Sequence, residues 1–376
     1  MSSLSLDTSQ FSLGGAIMFL QIVLALPLLL IIEIYLYKYF NLRRMTYKRS
    51  LSERAVFEGE KISMVEEIEN NNFLPIAWMK AESFINPNLR LDQIKNMQAS
   101  QGGYHRSVFS IMPYYRLKRT HEVTCLMRGD YNVGNVTITS GDIFGFTSKI
   151  ITYDNETSLL VYPNPLREDR MLECFHSLQG DVVVRRFINP DPFLVAGVRE
   201  YQIGDPMPSI NWKATARTNS LQVYKYDYSA NSKILIIFNI DNSSEQDPYP
   251  NEEECKRIEY GIHFCAAVVE KSIKQGIATG FCSNGHFRNE KEFVNIPSRC
   301  STSQLYTILE AMAKLQLHRA LSMHTMMKSI RSTISKDTDI LIVSLYTDEK
   351  IEEEILKLRR DGHQVEKWVI AESEVA

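Results

Sequence analysis

A basic excess is missing from this sequence. Its 42 Lys and Arg face 45 Asp and Glu, leaving a net charge of −3, so the overall balance marks no nucleic-acid partner. Cysteine is scarce, with six thiols in 376 residues. Cys125, Cys174, Cys255, Cys265, Cys282 and Cys300 make neither a CxxC pair nor zinc-ligand spacing, which excludes a disulfide framework and a zinc module and leaves core packing in a reducing compartment. The eight histidines form no HExxH or other paired spacing. No GxSxG elbow or phosphate-cradling glycine loop follows any expected strand. Enzyme readings therefore start without a motif. A hydrolase or transferase with an unrecognised site stays open as an alternative.

Charge itself is missing from one place. Gly14–Ile32 is 19 residues without a charged side chain, and Gln21 is its one strongly polar member. Such a run is long enough to cross a bilayer as a helix, and Pro27 is tolerated in a spanning helix. Residues 1–13 contain no Lys or Arg, which argues against a cleaved signal peptide. Glu33 closes the run, and Tyr35, Tyr37 and Tyr39 are expected to form an aromatic belt. Lys38, Arg43, Arg44, Lys48 and Arg49 follow directly. By the positive-inside rule the N-terminus lies outside and residues 40–376 lie in the cytoplasm. The sequons at Asn135, Asn155 and Asn242 then mean only surface loops. An extracytoplasmic adhesion or sensing domain is the reading if the orientation is reversed.

A chain of this length holds two or three domains. After a tail and spanning helix over 1–40, residues 41–165 read as a β-rich, sandwich-like domain. Short alternating runs such as Val136–Thr139 and Glu122–Met127 recur between turn signals at Glu58-Gly59, Asn70-Asn71-Asn72 and Ser140-Gly141-Asp142. Residues 166–230 form a connecting segment. From 231 to 376 strands and helices alternate. Ile234–Ile240 and Asp339–Tyr346 are nearly continuous apolar runs, as expected of strands buried on both faces. Glu252–Gln275 has helical apolar spacing and a stop at Gly276. Asp348–Asp361 has acids early and Lys357, Arg359 and Arg360 late, matching the helix dipole. The pattern predicts a mostly parallel sheet covered by helices. Met323, Met326 and Met327 sit at helical spacing and are expected in the core.

The connecting segment carries the densest signal: GVREYQIGDPMPSINWKATARTNSLQVYKY over Gly197–Tyr226. Asp205 before Pro206 predicts a helix start, running to about Thr218 with Asn219 as a left-handed stop. Arg199-Glu200-Tyr201, Gly204-Asp205 and Ile210-x-Trp212-Lys213-Ala214-Thr215-Ala216-Arg217 resemble the signature of the bacterial "domain of unknown function 58" family. Phe57-Glu58-Gly59-Glu60, Arg128-Gly129-x-Tyr131, Asp142-x-Phe144-Gly145 and Val161-Tyr162-Pro163 extend the resemblance over most of the chain from about residue 50. It implies a C-terminal α/β domain similar to a von Willebrand factor type A (Rossmann-like) domain. It also implies an inner-membrane protein that acts as partner or adaptor of a MoxR-type AAA+ ATPase in assembling envelope complexes.

Two sets of residues follow as sites. Type A domains bind Mg²⁺ through oxygen ligands at the sheet's carboxyl edge. Here Asp241 and Ser243 after the first strand and Asp348 after a later one match that set, with Asn239-x-Asp241-x-Ser243 as the competing register. A hard cation needs such oxygens; the bland alternative is strand-end turn and N-cap residues, Asp348 above all. The second set is Arg199, Glu200, Tyr201, Asp205, Trp212, Lys213 and Arg217. These residues either form a recognition surface or a buried network with Trp212 in the core. The reading as a whole is a non-enzymatic, membrane-anchored protein–protein interaction module.

Overall fold

Thr8–Phe40 forms one 33-residue helix, α1, with Pro27 inside it. The computed structural model describes residues 8–91, 97–99, 103–154, 157–166, 195–202, 205, 207–226, 233–241, 250–288, 290, 292–336 and 338–370. Within α1, Ile17–Phe40 is long and apolar enough to cross a membrane, and none of its apolar window is buried. The helix does not stop at Glu33. It continues for about 10 Å, and that last part meets the turn between the third and fourth strands at Phe73 and Pro75. The expected belt is accordingly split by the helical period. Tyr35 and Tyr39 are 70% and 54% exposed, whereas Tyr37, on the other side, is buried and donates to Pro75 O at 3.1 Å.

The chain divides into two compact units, residues 1–160 and 161–376. The first is strand-rich. Its strands are β1 (Met45–Leu51), β2 (Ala55–Phe57), β3 (Lys61–Asn70), β4 (Ile76–Phe84), β5 (Leu89–Leu91), β6 (Met97–Ala99), β7 (Tyr104–Ile111), β8 (Tyr115–Cys125), β9 (Gly129–Asn132), β10 (Asn135–Gly141), β11 (Ser148–Asp154) and β12 (Ser158–Tyr162). They form sheets ordered β1-β3-β8-β5, β11-β10-β4-β7-β6 and β2-β12-β9. In the first two, every paired neighbour is antiparallel. Tyr47 and Ile68 of one sheet and Met79, Ala81, Ile111, Val136 and Ile138 of the other share one apolar core. The alternation along β3 and β10 follows from the two-residue period of a strand with one face buried. In the alternating Glu122–Met127 run Val123 and Cys125 are buried, but Met127 is 40% exposed, because β8 ends at Cys125.

The inner face of β3 also carries a charge. Arg49 of β1 lies opposite Glu66 and its Nη2 is 2.6 Å from Glu66 Oε1. Tyr47 OH donates to the same oxygen at 2.8 Å, Arg49 Nη1 donates to Val133 O at 2.6 Å, and His121 Nε2 lies 2.9 Å from Glu66 Oε2. Arg49 therefore does not face the membrane surface; Lys38, Arg43, Arg44 and Lys48 are the exposed cations of that group.

The second unit opens with β13 (Val195–Glu200), a 3₁₀ turn at Met207–Ser209, helix α2 (Trp212–Thr218) and β14 (Gln222–Tyr226). Strands β13 and β14 form an antiparallel pair. The mixed α/β region follows: β15 (Lys233–Phe238), α3 (Glu252–Lys274), β16 (Ala278–Ser283), β17 (Gly285–Phe287), β18 (Val294–Arg299), α4 (Thr302–Lys314), β19 (Leu315–Arg319), α5 (Met323–Ile330), β20 (Thr338–Ser344), α6 (Glu349–Arg360) and β21 (Val365–Val369). The main sheet runs β18-β16-β15-β20-β21. β16, β15, β20 and β21 are parallel, and β18 is antiparallel at the edge. Pro297 speaks against a strand over 294–299, but an edge strand tolerates proline.

Both faces of this sheet are covered. Leu235, Ile237, Ile340 and Ile342 pack with α5 and α6, and Met323, Met326 and Met327 lie in that core. α3 packs on the sheet with α4 beside it. Gly261 lets α3 approach closely, since a Cβ there would come within 2.7 Å of the Phe238 ring. The five described cysteines are free, and Cys125, Cys265 and Cys282 are buried. Burial pushes the Cys125 thiol up to about 11 and the Cys282 thiol to about 12, so both are inert packing groups. Cys174 and the sequon residues Asn155 and Asn242 lie outside the described residues.

Candidate functional site

In open parallel sheets, ligands bind beyond the carboxyl ends of the strands. At that edge the first feature is a buried polar network. Asn239, after β15, donates from Nδ2 to Ser344 Oγ at 2.9 Å, and its Oδ1 accepts from Asn284 Nδ2 at 2.8 Å. Asn284 Oδ1 accepts from Ile240 N at 2.8 Å. Three strand ends are thus tied together by side chains whose polar atoms are mutually satisfied. Asn239 spends its amide on this architecture.

Asp241 follows and is 5% exposed. Its Oδ2 accepts from Met323 N at 3.3 Å, capping the start of α5, and its Oδ1 lies 3.6 Å from Arg319 Nη1. Burial raises the Asp241 carboxyl, Arg319 lowers it, and nearby Asp348 raises it again; the net shift is upward. Asp348 is the N-cap of α6, accepting from Ile351 N at 2.8 Å. Asp241 and Asp348 are thus close enough at one edge to influence each other's charge. Ser243 lies outside the described residues.

Beside these carboxylates is a cavity of about 310 Å³, lined in part by Arg319, His324, Tyr346, Asp348 and Lys350. Burial and the two aspartates push the Tyr346 hydroxyl up to about 12, so it is a neutral donor at any ordinary pH. Sequence reasoning missed Arg319, and no local signal marks it. It reaches the edge because β19 pairs with β17, placing Arg319 opposite Gly285.

The described part of the donor set, Asp241 and Asp348, fits a divalent cation poorly in this arrangement. Each aspartate is engaged by a backbone N–H, and the Arg319 guanidinium occupies the neighbourhood where a cation would compensate Asp241. Calorimetric titration with Mg²⁺ is expected to give no saturable heat. Arg319→Ala is expected to destabilise the chain by about 1–3 kcal/mol, because it leaves Asp241 desolvated beside a second carboxylate. An Arg319→Ala protein that melts like wild type, or saturable Mg²⁺ binding by the native chain, would contradict this assignment.

The signature residues occupy a different place. Asp205 does not cap α2; Asn211 does, accepting from Ala214 N at 3.0 Å. Met207–Ser209 wind as a short 3₁₀ turn, and Ile210 bridges to Val223. Asp205 instead takes Arg199 in a two-pronged pair, both contacts 2.7 Å, and accepts from Gln202 N at 2.8 Å. Arg199 holds the Asp205 carboxyl below its ordinary value. Asn219 does adopt the left-handed conformation, at φ 55°. Thr215 Oγ1 accepts from Gln222 N at 3.0 Å, clamping α2 to β14. Gly204 and Pro206 lie outside the described residues.

Burial then separates the two readings of this set. Ile210 and Val223 are buried, but Trp212 is 66% exposed and Met207 70%. Lys213 and Arg217 are exposed, as are Arg199 and Glu200. Of the two readings, the buried one is met among the described residues only by the Arg199–Asp205 pair; Trp212 does not lie in the core. α2 is seven residues long and turns its tryptophan outward, while the pairing of β13 with β14 supplies the local order.

Residues 197–371 match the family model described as protein of unknown function DUF58. This part of the chain belongs to that family. The match spans both the exposed signature and the α/β sheet. The uncharacterized protein YeaD of Bacillus subtilis (strain 168) is 20% identical over 252 residues, 66% of this chain and 58% of YeaD. The chain thus spans little more than half the length of that relative. Among solved structures, the CARDB domain of the PF1109 protein in complex with di-metal ions from Pyrococcus furiosus aligns with 31% of this chain and 91% of its own. Its identity is 13% and its TM-score 0.21. A non-cellulosomal cohesin from Archaeoglobus fulgidus aligns with 31% of this chain and 86% of its own, at 12% identity and TM-score 0.18. Likeness at that level carries no argument about this chain.

Proposed function

We propose that this DUF58 chain is a membrane-anchored, non-enzymatic interaction module whose recognition surface is the signature hairpin. The exposure of the signature carries the reading. Family-pattern residues held in solvent are not there to fill a core, and exposed Trp and Arg are the side chains that dominate binding energy at interfaces. Trp212 and Met207 offer apolar contact area; Lys213 and Arg217, one turn apart on α2, offer cations to an acidic partner surface. The resemblance supplies the partner class: a MoxR-type AAA+ ATPase serving assembly or maturation of envelope complexes. In this reading the α/β region is similar to a von Willebrand factor type A domain, α1 crosses the inner membrane once, and both units lie in the cytoplasm. The four exposed cations after the span support that orientation.

Affinity purification from detergent-solubilised membranes, read by mass spectrometry, is the test. Wild type is expected to recover an AAA+ ATPase. Trp212→Ala with Arg217→Glu is expected to lose at least about tenfold of it, since a hot-spot residue is worth about 2 kcal/mol or more. Equal recovery by the variant sinks the surface assignment.

One observation favours a second reading. The cavity at the sheet's carboxyl edge gathers Arg319, His324, Tyr346 and Lys350, and convergent titratable groups in a concavity are what a hydrolase or transferase would need. Its two carboxylates are spent on capping α5 and α6, which ranks it second. Saturable binding of a small anion that Lys350→Ala abolishes would promote it.

A further inference from the structure

Glu33, the first charged residue after the apolar run, accepts a hydrogen bond on Oε1 from Ile143 N at 3.0 Å. Ile143 is the second residue of the 142–147 loop that joins β10 to β11. Asp142 closes this loop by accepting from Phe146 N at 3.1 Å and from Thr147 Oγ1 at 3.0 Å, and Trp78 Nε1 donates to its carbonyl at 2.9 Å. Gly145, at φ 81°, makes the tight reversal. A loop fixed so firmly would be expected to fold its large apolar side chains inward. It does the opposite: Ile143, Phe144 and Phe146 are 56%, 61% and 66% exposed.

The position of the loop suggests what covers them. It is tied to α1 at the level where the uncharged run ends. Nearby, Phe73 packs edge-on against Phe40 of α1 with ring centroids 5.0 Å apart, yet stays 50% exposed. Asn70 donates from Nδ2 to both Leu74 O and Met112 O, tying the 70–75 turn to a second turn in which Met112 and Tyr114 are 66% and 71% exposed. Turns of the strand-rich unit therefore present exposed Phe, Tyr and Met beside the end of α1 that follows the apolar run. Aromatic and long apolar side chains of this kind belong at a bilayer interface.

We propose that the 142–147 loop is a second membrane-contacting element, inserting Ile143, Phe144 and Phe146 about 5–10 Å into the headgroup and acyl boundary. The occupant of the apolar patch is the same bilayer that α1 crosses. The inference rests on the spanning reading of α1. A helix alone leaves the attached body free to swing, whereas a helix plus a loop seats the strand-rich unit against the lipid.

The experiment places single tryptophans in the full chain, reconstituted in phosphatidylcholine and phosphatidylglycerol vesicles with or without brominated phosphatidylcholine. F19W reports the span, F144W the loop, and Y104W an exposed site on β7. Each is read as the difference from wild type. The expected result is quenching of F19W and F144W but not Y104W, with F144W quenched more by shallowly than by deeply brominated lipid. F19W quenched with F144W unquenched and red-shifted overturns the loop insertion while leaving the span intact. F144W blue-shifted but unquenched places the loop under protein and overturns it equally. F19W unquenched refutes the span itself.

Discussion

Glu66→Ala is expected to destabilise the strand-rich unit by about 3–5 kcal/mol, because it strands a guanidinium in the interior. The Arg49 side chain is 2% exposed and that of Glu66 9%, so neither can turn to water when its partner goes. On a unit of this size the loss lowers the melting temperature on the order of 10 °C. Arg49→Met with Glu66→Leu is expected to recover most of it, since apolar replacement of a buried pair is often neutral. Thermal melting of the detergent-solubilised chain, single variants against double, checks both. A double variant as unstable as Glu66→Ala would show that Tyr47 and His121 need the carboxylate more than Arg49 does.

The same carboxyl sets an acid limit. Burial alone would push Glu66 up, but hydrogen bonds from His121, Arg49 and Tyr47, with the Arg49 charge, outweigh it and hold the group well below its ordinary value near 4.5. A carboxyl depressed in the folded state gives stability that is complete above its unfolded value. That stability drains away as pH falls below about 4.5 toward the folded value. Asp241 has the opposite sign. Its folded carboxyl is raised, so its contribution is complete below the ordinary aspartate value and is lost as pH rises through the folded one. Acid should therefore loosen the strand-rich unit first, and Glu66→Gln should flatten that limb of the stability profile.

How much of this was legible depended on how local the cause was. Ile234–Phe238 and Ile340–Val343 were readable because a strand buried on both faces needs an unbroken apolar run, whatever surrounds it. Asp348 was readable as an N-cap because capping is decided within four residues. Asp205 misled for the same reason: its sequence context suits a cap, but Arg199, six residues away, claims the carboxylate. Arg319 and β18 were invisible, since one depends on β17 pairing with β19 and the other on an edge position that excuses Pro297. Tyr37 shares the belt pattern of its neighbours in sequence, but the helical period sends it to the opposite face. Trp212 is open to either reading in the sequence, core or recognition surface, and the short α2 decides it by leaving the ring exposed.

Leu24→Arg with Leu28→Arg is expected to abolish stable membrane integration. Each arginine at the middle of a spanning helix costs about 3–4 kcal/mol relative to leucine, so the pair costs about 6–8 kcal/mol. Snorkelling recovers only part of that, because Leu24 lies near the centre of the 14–32 run, about 14 Å from the Glu33 level, and Leu28 one turn nearer, about 8 Å from it. Carbonate extraction of membranes, followed by immunoblotting, should find wild type in the pellet and the double variant in the supernatant. The variant body should stay folded, since the apolar part of α1 packs on nothing in its own unit. Leu24→Ala with Leu28→Ala is the matched control and should remain in the pellet. If the arginine variant also resists carbonate, α1 is not held by the hydrocarbon core. Charge, not shape, is the variable that decides this, because the same absence of charge first marked the segment in the sequence.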